Sequence, residues 1–363
     1  MTAPRRDVIL LSTADWDHPF WTNKQHVARS LAELGHRVLY IESLGLRAPR
    51  LEAQDLTRIL RRLRRGLRPP RRVAPGLWVW SPLLIPAPRS RLQQRLNRGV
   101  FRFLLTFWRR WLGLRADLFW TYNPLTGQLL DLERFAFRQL VYHCVDDLTA
   151  QPCMPAELIA SEEERLCRRA DRVFVTSLEL LRLRGAFNPR TSYYSNVADL
   201  DHFALARDAQ VAIPADLQAI PGPRLGFIGA ISAYKLDLAL IERLARHRPD
   251  CQLVLIGRVG EGDPSTDLQP LQGLANVHLL GSRPYADLPA YLRGFDLALL
   301  PCPLNAYTRS MFPMKFFEFL AAVDRLLIDP PGQGSRAPIP LELLPSGCSY
   351  RGRTEAMLAE ITP

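Results

Sequence analysis

Lysine is nearly missing from this chain of 363 residues: only Lys24, Lys235 and Lys315 stand among 47 basic residues. Where arginine serves everywhere else, a retained lysine marks either a place that wants a compact point charge or a residue left by chance. Paired cysteines are missing too. Cys144, Cys153, Cys167, Cys251, Cys302 and Cys348 form no Cys-x-x-Cys, which argues against a structural zinc site and for buried thiols in a reducing compartment. No apolar run reaches the roughly eighteen residues that a membrane span needs. The opening MTAPRRDVILLSTADW has too short an apolar core for a secretory signal, so a cytoplasmic location is the expectation.

One segment also lacks acid. Residues 47–115 carry eighteen arginines against Glu52 and Asp55, a local balance of +16 in a chain whose total is +11. The runs LTRILRRLRRGLRPPRR and RSRLQQRLNRGVFRFLLTFWRRWLG interleave arginine with leucine, phenylalanine and tryptophan. That pattern is expected to attract anionic lipid headgroups at the inner face of the cytoplasmic membrane. Solvated arginine faces are the alternative. Nucleic acid is not expected, because no recognised binding module accompanies the charge.

What remains is an ordinary globular composition, 47% hydrophobic, on a chain long enough for two domains. RDVILLST reads as a buried parallel strand, TNKQHVARSLAELGH as a helix stopped by Gly35, and RVLYIES as a second strand, the opening of a doubly wound sheet. After the basic insertion at 47–115, alternation resumes through ADLFWTYN, RQLVYHCV, AELIASEEERLCRRA and DRVFVTS. It lapses over 198–222, a stretch ending in Pro-Gly-Pro, and restarts with PRLGFIGA, CQLVLIG, NVHLLG and FDLALLP. The expected division is an N-terminal domain at 1–197, a linker at 198–222 and a C-terminal domain at 223–363. In such sheets ligands sit beyond the carboxyl ends of the strands.

The stretches GFIGAISAYKLDLALIERLA, LVLIGRVG, NVHLLGSRPYADLPAYLRGFDLALLPCP and PMKFFEFLAA, in that order and spacing, resemble retaining glycosyltransferases of GT-B fold, and within them bacterial enzymes of the teichuronic-acid type. VYHCVDDL, EEERLCRRADRVFVTS and SNVADLDHF extend the resemblance into the first half. It implies an α/β fold of two Rossmann-like domains facing a central cleft. A UDP- or GDP-linked sugar donor would be held by the C-terminal domain, and a glycan or lipid-linked acceptor would meet the N-terminal one. It further implies transfer with retention in cell-envelope polysaccharide synthesis, with no metal and no cofactor besides the donor.

In YTRSMFPMKFFEFLAA, Lys315 and Glu318 are three apart and share a helix face, with Pro313 suited to the first turn. A cation at a helix start sits at the wrong end of the dipole unless an anion is bound there. The resemblance makes Glu318 the acceptor for the donor ribose hydroxyls; the alternative is an exposed pair with Lys315. Lys315, or the backbone N–H groups of Ser310 and Met311, is expected to face the donor phosphate. Gly229 opens a turn after a strand, where a missing side chain admits close approach. Lys235 corresponds to the family's diphosphate lysine, whereas Ala230 stands where many relatives carry arginine. Gly257 is a second close-approach candidate, or simply a turn. Arg283, Pro284 and Tyr285 form the loop that reads the nucleobase in relatives, or an ordinary strand-to-helix loop.

On the acceptor side, Asp146 is the catalytic candidate, holding a sugar hydroxyl or stabilising charge on the ring. Asp147 and His143 accompany it, with strand-face packing the alternative for His143. Asp15, Trp16 and Lys24 are expected to line the cleft from the first loop. The tail after FFEFLAA departs from the family pattern, being rich in proline and glycine, and leaves little room for a helix returning to the first domain. That keeps a second class open: a non-catalytic GT-B homologue serving as a binding partner or membrane-surface scaffold.

Overall fold

A computed structural model of the chain describes residues 5–18, 21–43, 66, 68–85, 90–134, 136–322, 326–328 and 349–361. The chain forms two compact units. The first takes Met1–Ala150, Met154–Ser195 and Thr354–Pro363, and the second takes Gln151–Cys153 and Asn196–Arg353.

The first unit is built on eight strands: β1 (Asp7–Leu11), β2 (Arg37–Ile41), β3 (Arg71–Ala74), β4 (Leu77–Trp80), β5 (Leu118–Thr121), β6 (Gln139–Cys144), β7 (Arg172–Val175) and β8 (Thr191–Tyr193). They stand in the order β3-β4-β2-β1-β5-β6-β7-β8. All neighbours run parallel except β3, which returns antiparallel to β4. Every residue of DVILL is buried, as a strand covered on both faces requires. Alternate side chains feed two cores: Ile9, Leu11, Leu39, Phe119 and Tyr142 on one face, Val8, Leu10, Val38, Trp120 and Phe174 on the other. Helix α1 (Asn23–Glu33) presses Val27 and Leu31 into the second core. Helix α2 (Arg91–Trp111) starts with a capping box, Ser90 Oγ accepting from Gln93 N at 3.2 Å, and buries Phe101 and Leu105 in the first core. Helices α3 (Ala156–Arg169) and α4 (Leu178–Gly185) cover the same face through Leu166, Cys167 and Leu180.

The second unit is a five-stranded parallel sheet of β9 (Arg224–Ile228), β10 (Gln252–Ile256), β11 (Val277–Gly281), β12 (Leu297–Leu300) and β13 (Leu326–Ile328), in the order β11-β10-β9-β12-β13. Helix α5 (Leu238–His247) packs Ile241 and Ala245 onto Phe227, Leu253 and Leu299. Short helices α6 (Leu288–Arg293), α7 (Ala306–Ser310) and α8 (Lys315–Ala322) follow β11 and β12. Residues 198–222, expected as a linker, are built into this unit. Leu217 is buried, and the Arg207 guanidinium donates to the Leu320 and Ala321 carbonyls at 2.6 and 2.7 Å. A cation at these last carbonyls of α8 is at the favourable end of the dipole.

Two expectations are corrected. A helix does return: α9 (Tyr350–Ile361) begins in the second unit, and from Thr354 onward its residues belong to the first. Its Met357, Leu358 and Ile361 join the second core, and the Glu360 carboxylate accepts from Ser192 Oγ and Tyr194 OH, both at 2.6 Å. Twelve residues suffice because the apolar side chains of the last turns meet a face the sheet leaves open. The thiols are not uniformly interior: Cys144, Cys167 and Cys251 are buried, Cys302 is half-buried, and Cys153 is exposed in a left-handed turn. Cys348 lies outside the described residues.

Candidate functional site

Parallel strands place all their carboxyl ends along one edge, so in the second unit the loops after β9, β10, β11 and β12 share that edge. They are sewn together by backbone. The Gly229 N–H donates to Ile256 O at 2.9 Å, Ile231 N to Arg258 O at 3.0 Å, and Gly260 N to Ile231 O at 2.9 Å. Gly257 is indispensable here: a Cβ on it would lie 1.7 Å from the Gly229 carbonyl oxygen. The close approach foreseen at Gly257 is thus made by the neighbouring loop's own backbone. At Gly229 a Cβ would meet the Phe227 ring at 2.9 Å.

This stitching fixes the turn that carries Lys235. Ser232 Oγ donates to Glu261 O at 2.5 Å, Asn305 Nδ2 to Tyr234 O at 2.9 Å, and Asp237 N to Pro301 O at 2.8 Å. The Lys235 ammonium then lies 5.2 Å from the Tyr234 ring centre and 5.6 Å from that of Tyr307, a residue of α7. Two aromatic faces attract a cation without neutralising it. Among the described residues no carboxylate lies within ion-pair distance of Lys235.

Lys315 and Glu318 are brought together. Lys315 opens α8, and its Nζ lies 2.5 Å from Glu318 Oε2, with the lysine side chain 22% and the glutamate 6% exposed. The pair is nearly buried rather than the exposed pair the sequence allowed, and it answers the misplaced cation: the carboxylate one turn on balances the dipole's positive end. Glu318 Oε1 has no hydrogen-bond partner among the described residues. Ser310 is buried, and the Met311 N–H is taken by Thr308 O at 3.3 Å. Those two backbones belong to α7 and its end, not to the start of α8.

In the loop after β11, the Arg283 side chain turns away to structural work. It donates to Tyr291 OH and Asp216 Oδ2, both at 2.7 Å. Burial would raise the Asp216 carboxyl, but the hydrogen bonds from Arg283 and Tyr291 outweigh it and hold it below its ordinary range. Tyr285 stacks on His202, ring centres 4.4 Å apart, and His202 Nε2 is 2.9 Å from the Tyr285 carbonyl. Burial, and then the nearby carboxylates of Glu318 and Asp199, push the Tyr285 hydroxyl far above its usual pKa. Tyr285 therefore lies in the electrostatic neighbourhood of Glu318.

In the first unit Asp15 and Trp16 follow β1, Lys24 lies in α1, His143 is in β6, and Asp146 and Asp147 follow β6 at the carboxyl edge of the sheet. His143 is fully buried, its ring 4.8 Å from that of Tyr122 and flanked by Trp120 and Phe174, the strand-face packing that was its alternative. The Lys24 ammonium stands 5.9 Å over the same Tyr122 ring. Trp16 is packed edge-on between Trp21 and Tyr40 in the second core, which holds its ring faces inside, and its backbone N–H donates to Glu42 Oε1 at 2.8 Å. Asp15 is half-buried, its carbonyl taking the Gln25 amide at 2.9 Å. Asp147 is a loop organiser that accepts from Thr149 Oγ1 at 2.6 Å and from Arg184 at 3.3 Å. Arg184 also pairs with buried Glu163 at 2.9 Å, and Glu163 accepts from Tyr142 OH at 2.5 Å. Asp146, next along, is half-buried.

Sequence reasoning missed the tyrosines around Lys235, the His202–Tyr285 stack and the Arg184–Glu163 network. Tyr234 adjoins Lys235 in the sequence and was a usable signal. Tyr307 and His202 reach the site through tertiary packing, which spacing does not reveal.

Comparison with known proteins adds the following. Residues 222–323 match the family model for "Glycosyl transferases group 1". The chain is 30% identical over 226 residues to the Bacillus subtilis (strain 168) protein named "Putative teichuronic acid biosynthesis glycosyltransferase TuaH", covering 58% of this chain and 54% of that protein. It thus spans about half the length of that relative. Among solved structures it resembles sucrose-phosphate synthase from Thermosynechococcus elongatus, with a TM-score of 0.61 at 16% identity, over 89% of this chain and 80% of that one. It also resembles the α,α-trehalose 6-phosphate synthase of Burkholderia multivorans, TM-score 0.60 at 12% identity, over 99% and 91%. Anabaena Alr3699/HepE, solved with UDP and glucose, gives 0.57 at 16% over 89% and 80%. These likenesses establish an α/β fold of the GT-B class.

Proposed function

We propose that the chain is a glycosyltransferase that takes a sugar from a UDP- or GDP-linked donor and places it on a glycan or lipid-linked acceptor, with retention of configuration. The observation that carries this reading is Lys235: an ammonium fixed over two tyrosine rings at the carboxyl edge of a parallel sheet, with no carboxylate partner among the described residues. A rigid, uncompensated cation at such an edge is suited to a diphosphate, and its loop lies within the segment that matches the family model. The Anabaena relative solved with UDP and glucose supports the donor class, and the Bacillus subtilis relative supports a role in envelope polysaccharide.

In this reading Glu318 Oε1 accepts the ribose hydroxyls while Oε2 stays on Lys315, and Lys315 adds its charge to the phosphate end. The loop of Arg283 and Tyr285 receives the base through its backbone, since the Arg283 side chain is committed to Asp216. The bond from the anomeric carbon to the diphosphate breaks, the acceptor oxygen bonds to that carbon from the same face, and the departing phosphate takes the acceptor proton. Lys235 stabilises the charge that builds on the leaving group, and Asp146 holds a hydroxyl of the reacting sugar. No metal is needed in this scheme. The arginine-rich segment 47–115 draws the enzyme to an anionic membrane surface on the cytoplasmic side, where a lipid-linked acceptor is found.

Calorimetry with UDP, GDP and their sugars tests this. A donor nucleotide binds, and Glu318→Ala weakens it by about 1.5–3 kcal/mol, the worth of a charged hydrogen bond. Unchanged affinity removes Glu318 from the site. One observation favours the second reading, a non-catalytic homologue: Ala230 and the committed Arg283 leave this edge with fewer free cations than the family pattern carries. A chain of that kind takes up none of the nucleotides.

A further inference from the structure

Helix α2 has three faces. One is interior: Phe101 stacks on Trp80 with ring centres 5.9 Å apart, Leu105 is buried, and the Asn97 amide exchanges hydrogen bonds with the Ile85 backbone at 2.9 and 2.8 Å. That face locks the helix against the first core, so the other two are held outward. The second carries Leu92, Leu96, Phe103, Phe107 and Trp111, exposed by 77%, 55%, 70%, 48% and 61%. At 3.6 residues per turn their spacing of four, seven, four and four draws one continuous stripe. The third carries exposed Arg95 and Arg102, and Arg110 borders the stripe near its end. No acidic residue occurs anywhere from 91 to 111. Among the described residues no carboxylate pairs with Arg95, Arg102 or Arg110.

We infer that α2 lies in the plane of an anionic bilayer surface, with Leu92, Leu96, Phe103, Phe107 and Trp111 entering the acyl boundary and the arginines on the phosphates. This rests on the membrane-surface reading above and names the element that makes the contact. Charge complementarity selects this occupant. A stripe of large apolar side chains alone would suit any hydrophobic partner, but here it is edged by arginines that no described carboxylate pairs, on a helix without an acidic residue. Tryptophan at the stripe's end and arginines that can extend to headgroups fit the interfacial zone. The arginines supply attraction from a distance; the aromatic rings supply the hold that remains once salt screens it.

The test is co-sedimentation of the full chain with vesicles of phosphatidylcholine alone and of phosphatidylcholine with phosphatidylglycerol, at low and high salt, beside ultracentrifugation without lipid. The chain pellets with anionic vesicles and keeps part of that binding at high salt. Phe103→Ser with Phe107→Ser lowers the partition coefficient by roughly tenfold or more, and so does Leu92→Ser with Leu96→Ser. Both pairs are exposed, so thermal melting and UDP binding stay at wild-type values. If the wild type prefers anionic vesicles and both variants bind equally well, the stripe is not the contact although the basic-surface reading survives. If the wild type shows no preference for anionic vesicles, both fall. A concentration-dependent dimer abolished by either variant assigns the stripe to a second copy and overturns the proposal.

Discussion

Removing the lysine from the Lys315–Glu318 pair is the sharpest question that can be put to helix α8. Lys315→Met leaves a carboxylate that is 6% exposed without its 2.5 Å partner. Breaking a fully buried pair costs about 3–5 kcal/mol. Here the lysine side is partly wet, and Glu318 remains in the first turn, where the helix dipole returns about 0.5 kcal/mol. The net expectation is about 2 kcal/mol of lost stability. Glu318→Gln costs less, about 1 kcal/mol, because the long lysine can swing into water. The double variant recovers part of the loss, with a coupling of about 1–2 kcal/mol. The assay needs care, since all seven tryptophans lie in the first unit. Urea unfolding should therefore be followed by far-UV circular dichroism beside tryptophan fluorescence, reading midpoints at constant slope. Lys315→Met at the wild-type midpoint, with strictly additive single effects, would show that Glu318 is solvated and that the pair holds nothing.

Gly257→Ala is expected to destabilise the second unit by about 3 kcal/mol or more, because its Cβ would overlap the Gly229 carbonyl; the dichroism midpoint should fall further than the tryptophan one. Asp7→Asn should cost the first unit about 3 kcal/mol at neutral pH, since Asp7 is 1% exposed and takes both Arg37 Nε at 2.6 Å and Arg115 N at 2.7 Å. Burial raises the Asp7 carboxyl, but Arg37 and Arg115 outweigh it and depress its folded-state pKa. Its stabilisation is therefore complete above the unfolded value near about 4 and is lost as pH falls through the lower folded value, so the two chains' fluorescence midpoints should converge in acid.

The strands were legible in the sequence because doubly covered parallel strands are apolar at nearly every position, as in DVILL and QLVLI. Three elements were harder. The strand RRVA was hidden because its outer positions are exposed arginines on the edge of the sheet. The segment between β10 and β11 holds only a single turn at Gln269–Leu271, and the one between β5 and β6 is helical only over Thr126–Leu129. Short segments between strands owe their conformation to loop hydrogen bonds such as Thr266 Oγ1 to Asp263 O at 2.8 Å, which no periodicity records. At the site, residue type and spacing found Lys235, Lys315 and Glu318. They did not find what holds them, since cation–ring contacts and the Arg283–Asp216 bond join residues far apart in sequence. By sequence His143 fits either a cleft position or strand-face packing, and the aromatic neighbours that decide for packing come from β5, the residue after it, and β7.

Lys235 is the residue on which diphosphate binding turns. Titration calorimetry of the wild type and Lys235→Met with UDP and GDP, each variant first checked for an unchanged melting point, reads this directly. Saturable binding of one nucleotide by the wild type, weakened roughly tenfold or more in Lys235→Met, is the predicted result. No heat with either nucleotide, or equal affinity in both proteins, would contradict it.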